Sequence, residues 1–224
     1  MNMLNESKLE QMKTLIDFTD KWFKINKDLV EYLELRKKML GFLGEFEVVK
    51  ILYDKFRDRL SKIKWYGGGK RGYDIEITTK EGNKIRIQVK TSSTAAFRVL
   101  NVKNADKYKT DIEKAYTTSE QFVMPKDLEA EIYRQIDDTL ADYWILIDWV
   151  ETGKRYFILT KDEVKQISVK DYERYMNHRK NKGRYSKGFN YGITSSKTIG
   201  IIVHYKDWTD FFEECKGGWD KFKI

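Results

Sequence analysis

An α/β fold is what this sequence predicts: a central mixed sheet flanked by helices, with a helical elaboration at the N-terminus. Three features carry that expectation. Between Gly72 and Ser93, isoleucine and valine alternate with polar residues at the period of a two-stranded hairpin. Just before it, "KKMLGFLGEFEVVKILYDKFRDRL" repeats its apolar residues at helical spacing. Beyond it, the apolar runs "DYWILIDWV" and "TIGIIVHY" read as strands separated by helical stretches. With 224 residues, 41% hydrophobic and 14% aromatic, the chain can bury one core, and 35% charged residues do not make it disordered. A single globular unit is expected over residues 38–224, preceded by the elaboration in 1–37.

Taken in order, Leu9, Met12, Leu15, Ile16 and Trp22 mark a first helical stretch, and a second runs from Asp28 to about Leu40. These form the elaboration or an oligomerisation surface. The stronger helix follows, with Phe42, Phe46, Val49, Tyr53 and Phe56 on its apolar face. "SKIKWYGGGKRG" ends it. Its glycines do not make a phosphate loop, because Lys70 is followed by Arg71 and the segment leads into a hairpin, not a helix. After the hairpin, "AAFRVLNV" predicts a strand, and a polar helical region from about Asp106 to Asp138 is broken by Pro125. "DYWILIDWV" and "KRYFILT" then predict two strands, and "TKDEVKQISV" a helix capped by Thr160, with Asp162 and Glu163 in its first turn. A basic loop, "NHRKNKGRYSKG", leads to the last strand and a short helix around "WTDFFEEC", closed by Gly217 and Gly218.

Lys and Arg number 43 against 35 Asp and Glu, a net charge of +8. That balance fits a polyanionic partner or a lysine-rich surface kept for solubility, and charge alone leaves both open. The single Cys215 excludes an intrachain disulfide and a multi-cysteine zinc site, and two histidines leave little for a histidine-based metal centre. Any metal here needs oxygen ligands. His204, in an apolar strand, is expected to be structural. No segment reaches the roughly 18 apolar residues of a membrane-spanning helix, and the N-terminus lacks an apolar stretch. A cytoplasmic protein with no membrane association is expected.

Within the hairpin, matching the apolar faces sets Ile75 opposite Ile87 and Ile77 opposite Ile85, with Lys80-Glu81-Gly82 as a three-residue turn. A two-residue turn would slip the register and oppose Ile75 to Gln88, against the face pattern. The favoured register puts Asp74 opposite Gln88, about 5 Å away, and Lys90 about 7 Å further along the same face. Two readings follow. One is an ordinary solvated face on which Glu76 and Arg86 form a cross-strand ion pair. The other is a site in which a carboxylate, an amide oxygen and an ammonium converge, the set that phosphodiester hydrolysis needs if a hard cation is held there.

These residues resemble the PD-(D/E)xK nuclease superfamily: "GYDIEI" matches its aspartate half-motif, "QVK" its acid-or-Gln, any residue, Lys triplet, and "GEFEVV" the acidic contribution of the preceding helix. The glutamine resembles the Mrr-like branch of restriction enzymes. Tyr73 stands where the name-giving proline does, and Gln88 where an acid is usual. The resemblance covers roughly Lys38 to Ser93, with the "DYWILIDWV" and "RYFIL" strands similar to its continuation. It implies a restriction-endonuclease-like core and a Mg²⁺-dependent endonuclease, Mn²⁺ substituting, in which Asp74, Gln88, the Val89 carbonyl and Glu45 hold metal while Lys90 serves the attacking water.

A neutral Gln88 leaves such a site one negative charge short, which asks for another carboxylate. With about 100° per residue, Glu45 falls at the edge of the helix's apolar arc and Glu47 opposite it, so Glu45 faces the sheet and Glu47 solvent. Glu45 at that edge needs a partner: a metal, Lys90, or a salt bridge to another cation.

Lys70 and Arg71 before the hairpin, Ser92 after it, and Arg179, Lys180, Lys182, Arg184 and Lys187 in the basic loop are the candidates for nucleic-acid contact. Each has a plainer alternative: loop solubility, turn formation or a solvated charged face. The function expected is a DNA endonuclease of restriction or defence type, acting as a homodimer without a small-molecule cofactor. A Holliday-junction resolvase or repair nuclease is the alternative within the class, and a non-catalytic nucleic-acid-binding module the alternative outside it.

Overall fold

The computed structural model describes residues 33–67, 72–150, 153–181, 193–194, 197–222 and 224, together with positions 14 and 17. Helix α1 (Leu33–Phe56) leads into β1 (Leu60–Trp65), β2 (Ile75–Thr79), β3 (Lys84–Ser92) and β4 (Ala96–Val102). Helices α2 (Lys109–Thr118) and α3 (Lys126–Asp138) follow, then β5 (Tyr143–Val150), β6 (Gly153–Thr160), α4 (Lys161–Asn181), β7 (Ile199–His204) and α5 (Thr209–Cys215). Five strands form one sheet in the order β1-β2-β3-β5-β6, and β4 pairs with β7 in a second. Only β3 and β5 run parallel; β1–β2, β2–β3, β5–β6 and β4–β7 are antiparallel. A parallel neighbour requires a long crossover, and β4, α2 and α3 provide it. The fold is therefore the α/β arrangement with a mixed central sheet that the sequence predicts.

The hairpin register is the expected one: Ile75 pairs with Ile87 and Ile77 with Ile85. Thr79 N–H donates to the Asn83 carbonyl at 2.9 Å, and Gly82 takes φ +89°, the left-handed conformation that a three-residue turn asks for.

The large sheet is buried on both faces. On one, Val48, Val49 and Leu52 of α1 cover Ile75, Ile77, Ile87, Val89, Ile145, Ile147 and Ile158. On the other, Trp144, Leu146, Phe157 and Leu159 join a larger core with α2, α3, α4 and the β4–β7 sheet. Each fully buried aliphatic of this kind contributes about 1.5–3 kcal/mol. On the polar face of the hairpin Glu76 is buried, and Arg86, 35% exposed, closes the expected ion pair with it at 3.4 Å.

Four local expectations are corrected. No strand was foreseen in "LSKIKW", yet β1 pairs with β2 because Ile63 and Trp65 find a neighbour only in three dimensions. The buried face of α1 is rotated from the expected arc: Val48, Val49 and Leu52 are buried, whereas Phe42 is 41% exposed. Glu47 does not face solvent; it accepts from Tyr156 Oη at 3.1 Å and pairs with Lys154 at 3.5 Å. The basic loop starts later than expected, since His178, Arg179 and Lys180 close the last turn of α4, where cations complement the helix dipole. That helix begins at a capping box: Glu163 N–H donates to Thr160 Oγ1 at 3.3 Å, and Thr160 N–H to Glu163 Oε2 at 2.7 Å. The helix carrying Glu45 runs unbroken from Leu33, across the boundary drawn at residue 38. No described helix is long and apolar enough to cross a membrane.

Helix α1 sits close on the sheet at one point. A Cβ built on Gly44 would fall well inside contact distance of Thr91 Oγ1 and 3.3 Å from Ile147 Cδ1. Gly44→Ala is therefore expected to destabilise the protein by about 1–3 kcal/mol through overpacking. Thr91→Ala in the same chain removes the blocking hydroxyl but leaves its Cβ 3.0 Å away, and should restore part of the loss. Additive melting-temperature changes in that double-mutant cycle would contradict the assignment.

Candidate active site

Strands β2 and β3 part company after the Ile75–Ile87 pair, while β3 runs on through Gln88 to Ser92 against β5 alone. Beyond that fork Val89 N–H has no partner on β2. Asp74, just ahead of β2, fills the gap: its Oδ2 accepts Val89 N–H at 2.8 Å and also Gln88 Nε2, and its own N–H donates to the Ile87 carbonyl at 2.9 Å. The expected meeting of Asp74 with Gln88 is made by side chains at the fork. Gln88 Nε2 also lies 3.5 Å from the Val89 carbonyl. Just upstream, Gly72, at φ +86°, backs onto residues 139–140, where a Cβ would come 3.1 Å from Leu140 N. A glycine there lets the chain enter the site.

Glu45 reaches the same place from α1. Trp65 Nε1 donates to Glu45 Oε2 at 2.6 Å, and the indole ring is packed by Phe42 and Phe46 with centroids 4.8 and 4.2 Å away. Because the buried arc of α1 is rotated, Glu45 points toward the sheet and not along its margin. Burial pushes its carboxyl from 4.5 up to about 7, and the charge of Asp74 adds to the rise, against the Trp65 bond and Lys90. Burial also raises Asp74, 7% exposed, against its bond from Val89 and the charge of Lys90. Asp74 and Lys90 are thus both close enough to act on the charge of Glu45, and Gln88 and Val89 touch Asp74 directly.

The groups gathered here are carboxylates, a backbone carbonyl and an amide whose nitrogen faces Asp74; with that amide turned so that its oxygen faces inward, the set suits a hard divalent cation. Burial disfavours ionising both carboxyls beside one ammonium, and a cation bound there would favour their charged forms.

The remaining candidates are distributed differently. Lys70, Arg71, Lys182, Arg184 and Lys187 lie outside the described residues, as does nearly all of 1–32. Ser92 is buried, and its hydroxyl accepts the N–H groups of Thr94 at 3.1 Å and Ala96 at 3.3 Å, the turn-forming alternative. Arg179 stacks over Tyr175 at 5.3 Å, and Lys180 donates to the Ser119 carbonyl, tying the end of α4 to the end of α2.

Among the described residues one cluster of three acidic or histidine side chains brings its possible ligand atoms within 4.8 Å of one another, away from this site: Asp171, His204 and Asp207. Asp171 there accepts from Trp208 Nε1 at 2.6 Å and Arg174 Nε at 3.0 Å and meets His204 Nδ1 at 3.0 Å, while Arg174 also pairs with Asp207 at 3.0 Å. The guanidinium already takes the cation's place, so this is an internal charge network, and His204 is structural in it. Trp65 was not foreseen as part of the site, although the Ile63, Trp65 alternation in "KIKW" carried the strand signal.

No family model matches the chain, and no curated protein matches it. Among solved structures, the fold overlaps that of the restriction endonuclease MspI in complex with its cognate DNA, over 89% of this chain and 100% of that one, at a TM-score of 0.36 and 12% identity.

Proposed function

We propose that this chain is a metal-dependent endodeoxyribonuclease with a restriction-endonuclease-like core, hydrolysing DNA phosphodiester bonds in restriction or defence and acting in the cytoplasm as a homodimer. One observation carries the reading: where β2 and β3 separate, Asp74 gathers Val89 N–H and Gln88 Nε2, and Glu45, held by the Trp65 indole, lies within electrostatic reach of Asp74 and Lys90. Buried carboxylates in excess of their cations are costly, and a Mg²⁺ or Mn²⁺ ion relieves that cost. Asp74, Glu45, the Gln88 amide oxygen and the Val89 carbonyl would hold it. The ion, when bound, supplies neutralisation of developing phosphate charge and a water acidic enough to attack.

The chain's own groups have separate tasks. The Val89 N–H fixes Asp74, and the Trp65 indole fixes Glu45. Gln88 now offers its amide nitrogen to Asp74, and a half-turn of that amide exchanges donor for acceptor. Lys90 orients the water or steadies charge growing on the phosphate. Cutting both strands of a duplex takes two such sites, which a homodimer brings, with residues 1–37 as a surface for it. Lys70, Arg71 and the basic residues from Arg179 to Lys187 serve as contacts to the DNA backbone, which give affinity without sequence preference.

The second reading is a non-catalytic nucleic-acid-binding module, favoured by the Gln88 nitrogen already bonded to Asp74, an arrangement that steadies the carboxylate without a metal. Incubating plasmid and branched DNA with the protein in Mg²⁺, Mn²⁺ or EDTA separates the two. Metal-dependent cutting supports the nuclease, discrete fragments pointing to restriction and branch-selective nicks to a resolvase. DNA binding in every buffer without any cut supports the module.

A further inference from the structure

Beside Lys90, the strand ladder places a second cation whose surroundings differ from those of a surface ion pair. Ser92 of β3 pairs with Asp148 of β5, and Asp148 with Arg155 of β6. Paired residues project to one face, and Ser92 shares the face of Lys90 two residues earlier, so Lys90, Asp148 and Arg155 lie on one face at one end of the sheet. By strand spacing, the backbones of Lys90 and Arg155 are about 12 Å apart.

Asp148 is 0% exposed, while the Arg155 side chain is 33% exposed. Arg155 Nε donates to Asp148 Oδ2 at 3.0 Å, and Nη2 donates to that same oxygen, whereas Asp148 Oδ1 is buried with no partner. A pair built for mutual satisfaction would set two donors against two oxygens. Here both fall on one, and no bond among the described residues engages Nη1. The Tyr205 ring lies 4.2 Å from the guanidinium and is itself tethered through its hydroxyl to Glu213 at 3.0 Å, with Lys216 balancing Glu213 at 3.0 Å. The guanidinium is held by a carboxylate at one edge and by an aromatic ring on its face. A buried ion pair adds little net stability, so its value lies in position.

We propose that Arg155 binds a backbone phosphate of duplex DNA, a second anion contact one strand pair beyond Lys90, with Asp148 and Tyr205 fixing the guanidinium for it; this rests on the nuclease reading above. Arginine matches phosphate geometry through paired N–H groups, and pre-orienting it lowers the ordering cost of binding.

Fluorescence anisotropy of a labelled DNA duplex in EDTA, titrated from roughly 50 to 200 mM salt, tests this without cleavage. Arg155→Ala alone would strand a buried carboxylate, so Asp148→Asn/Arg155→Gln, which removes both charges, is the main variant. Its log K against log salt slope should be shallower than that of the wild type by about 1, the signature of one lost phosphate contact. Arg155→Lys keeps the charge but not the fork, and should keep the slope and bind several-fold more weakly. A folded double variant with the wild-type slope overturns the assignment and leaves the nuclease reading intact. If the double variant does not fold, wild-type affinity in Arg155→Lys overturns it instead. Failure of the wild type to bind duplex at low salt overturns both.

Discussion

Asp74→Ala is expected to reduce plasmid cleavage at least about 10²–10³-fold, the scale on which charge-stabilising groups at a reacting phosphate act. Asp74 is the group through which the fork is organised: it accepts from Val89 N–H and Gln88 Nε2, feels the charge of Lys90 and acts on that of Glu45. Alanine removes the carboxylate and orphans a buried N–H, so a folding defect must be told apart from a chemical one. Asp74→Asn does so, because its amide oxygen still accepts from Val89 while offering a cation a much weaker ligand. Loss of cleavage in both variants, with the melting temperature of the asparagine form near that of the wild type, is the expected outcome. Cleavage by Asp74→Asn within tenfold of the wild type would sink the metal role of Asp74.

Glu45→Gln should have opposite effects on activity and on metal-free stability. The Glu45 carboxyl rises from 4.5 to about 7 on folding. Between those values the folded chain binds the extra proton, so this group's favourable contribution is complete below about pH 4.5 and is lost as the pH rises through 7. The loss is about 1–3 kcal/mol once partial exposure is allowed for, and glutamine, which cannot ionise, is free of it. In EDTA the stability difference between Glu45→Gln and the wild type should therefore grow in the variant's favour from pH 4.5 to 8, by a few degrees in melting temperature. Excess Mg²⁺ should narrow the difference by stabilising the wild type, and cleavage by the variant should fall. Urea titrations at several pH values measure it, and a difference that stays constant with pH would show that Glu45 keeps an ordinary carboxyl. The expected pH dependence would make Glu45 a residue at which function trades against stability.

Much of this protein is determined by its sequence alone, where the relevant physics is local. Side-chain period and turn length are local, so the Ile75–Ile87 register, the Lys80-Glu81-Gly82 turn and the pairing of Asp74 with Gln88 are all readable from Gly72 to Ser93. The capping box at Thr160 and Glu163 is local too. What needed the tertiary structure depends on neighbours distant in the chain. Strand β1 exists because β2 lies beside it, and only there does Trp65 come to bond Glu45. The buried arc of α1 is set by the sheet it covers, so the helical wheel alone misplaced Phe42 and Glu47. Glu76 on the polar face of the hairpin is buried though its sequence reads as a solvated position, and Asp148 meets Arg155 through an antiparallel β5–β6 ladder that reads in sequence only as two apolar runs. Alternation says which side chains share a face; what covers that face is decided by the packing of segments that sequence does not place side by side.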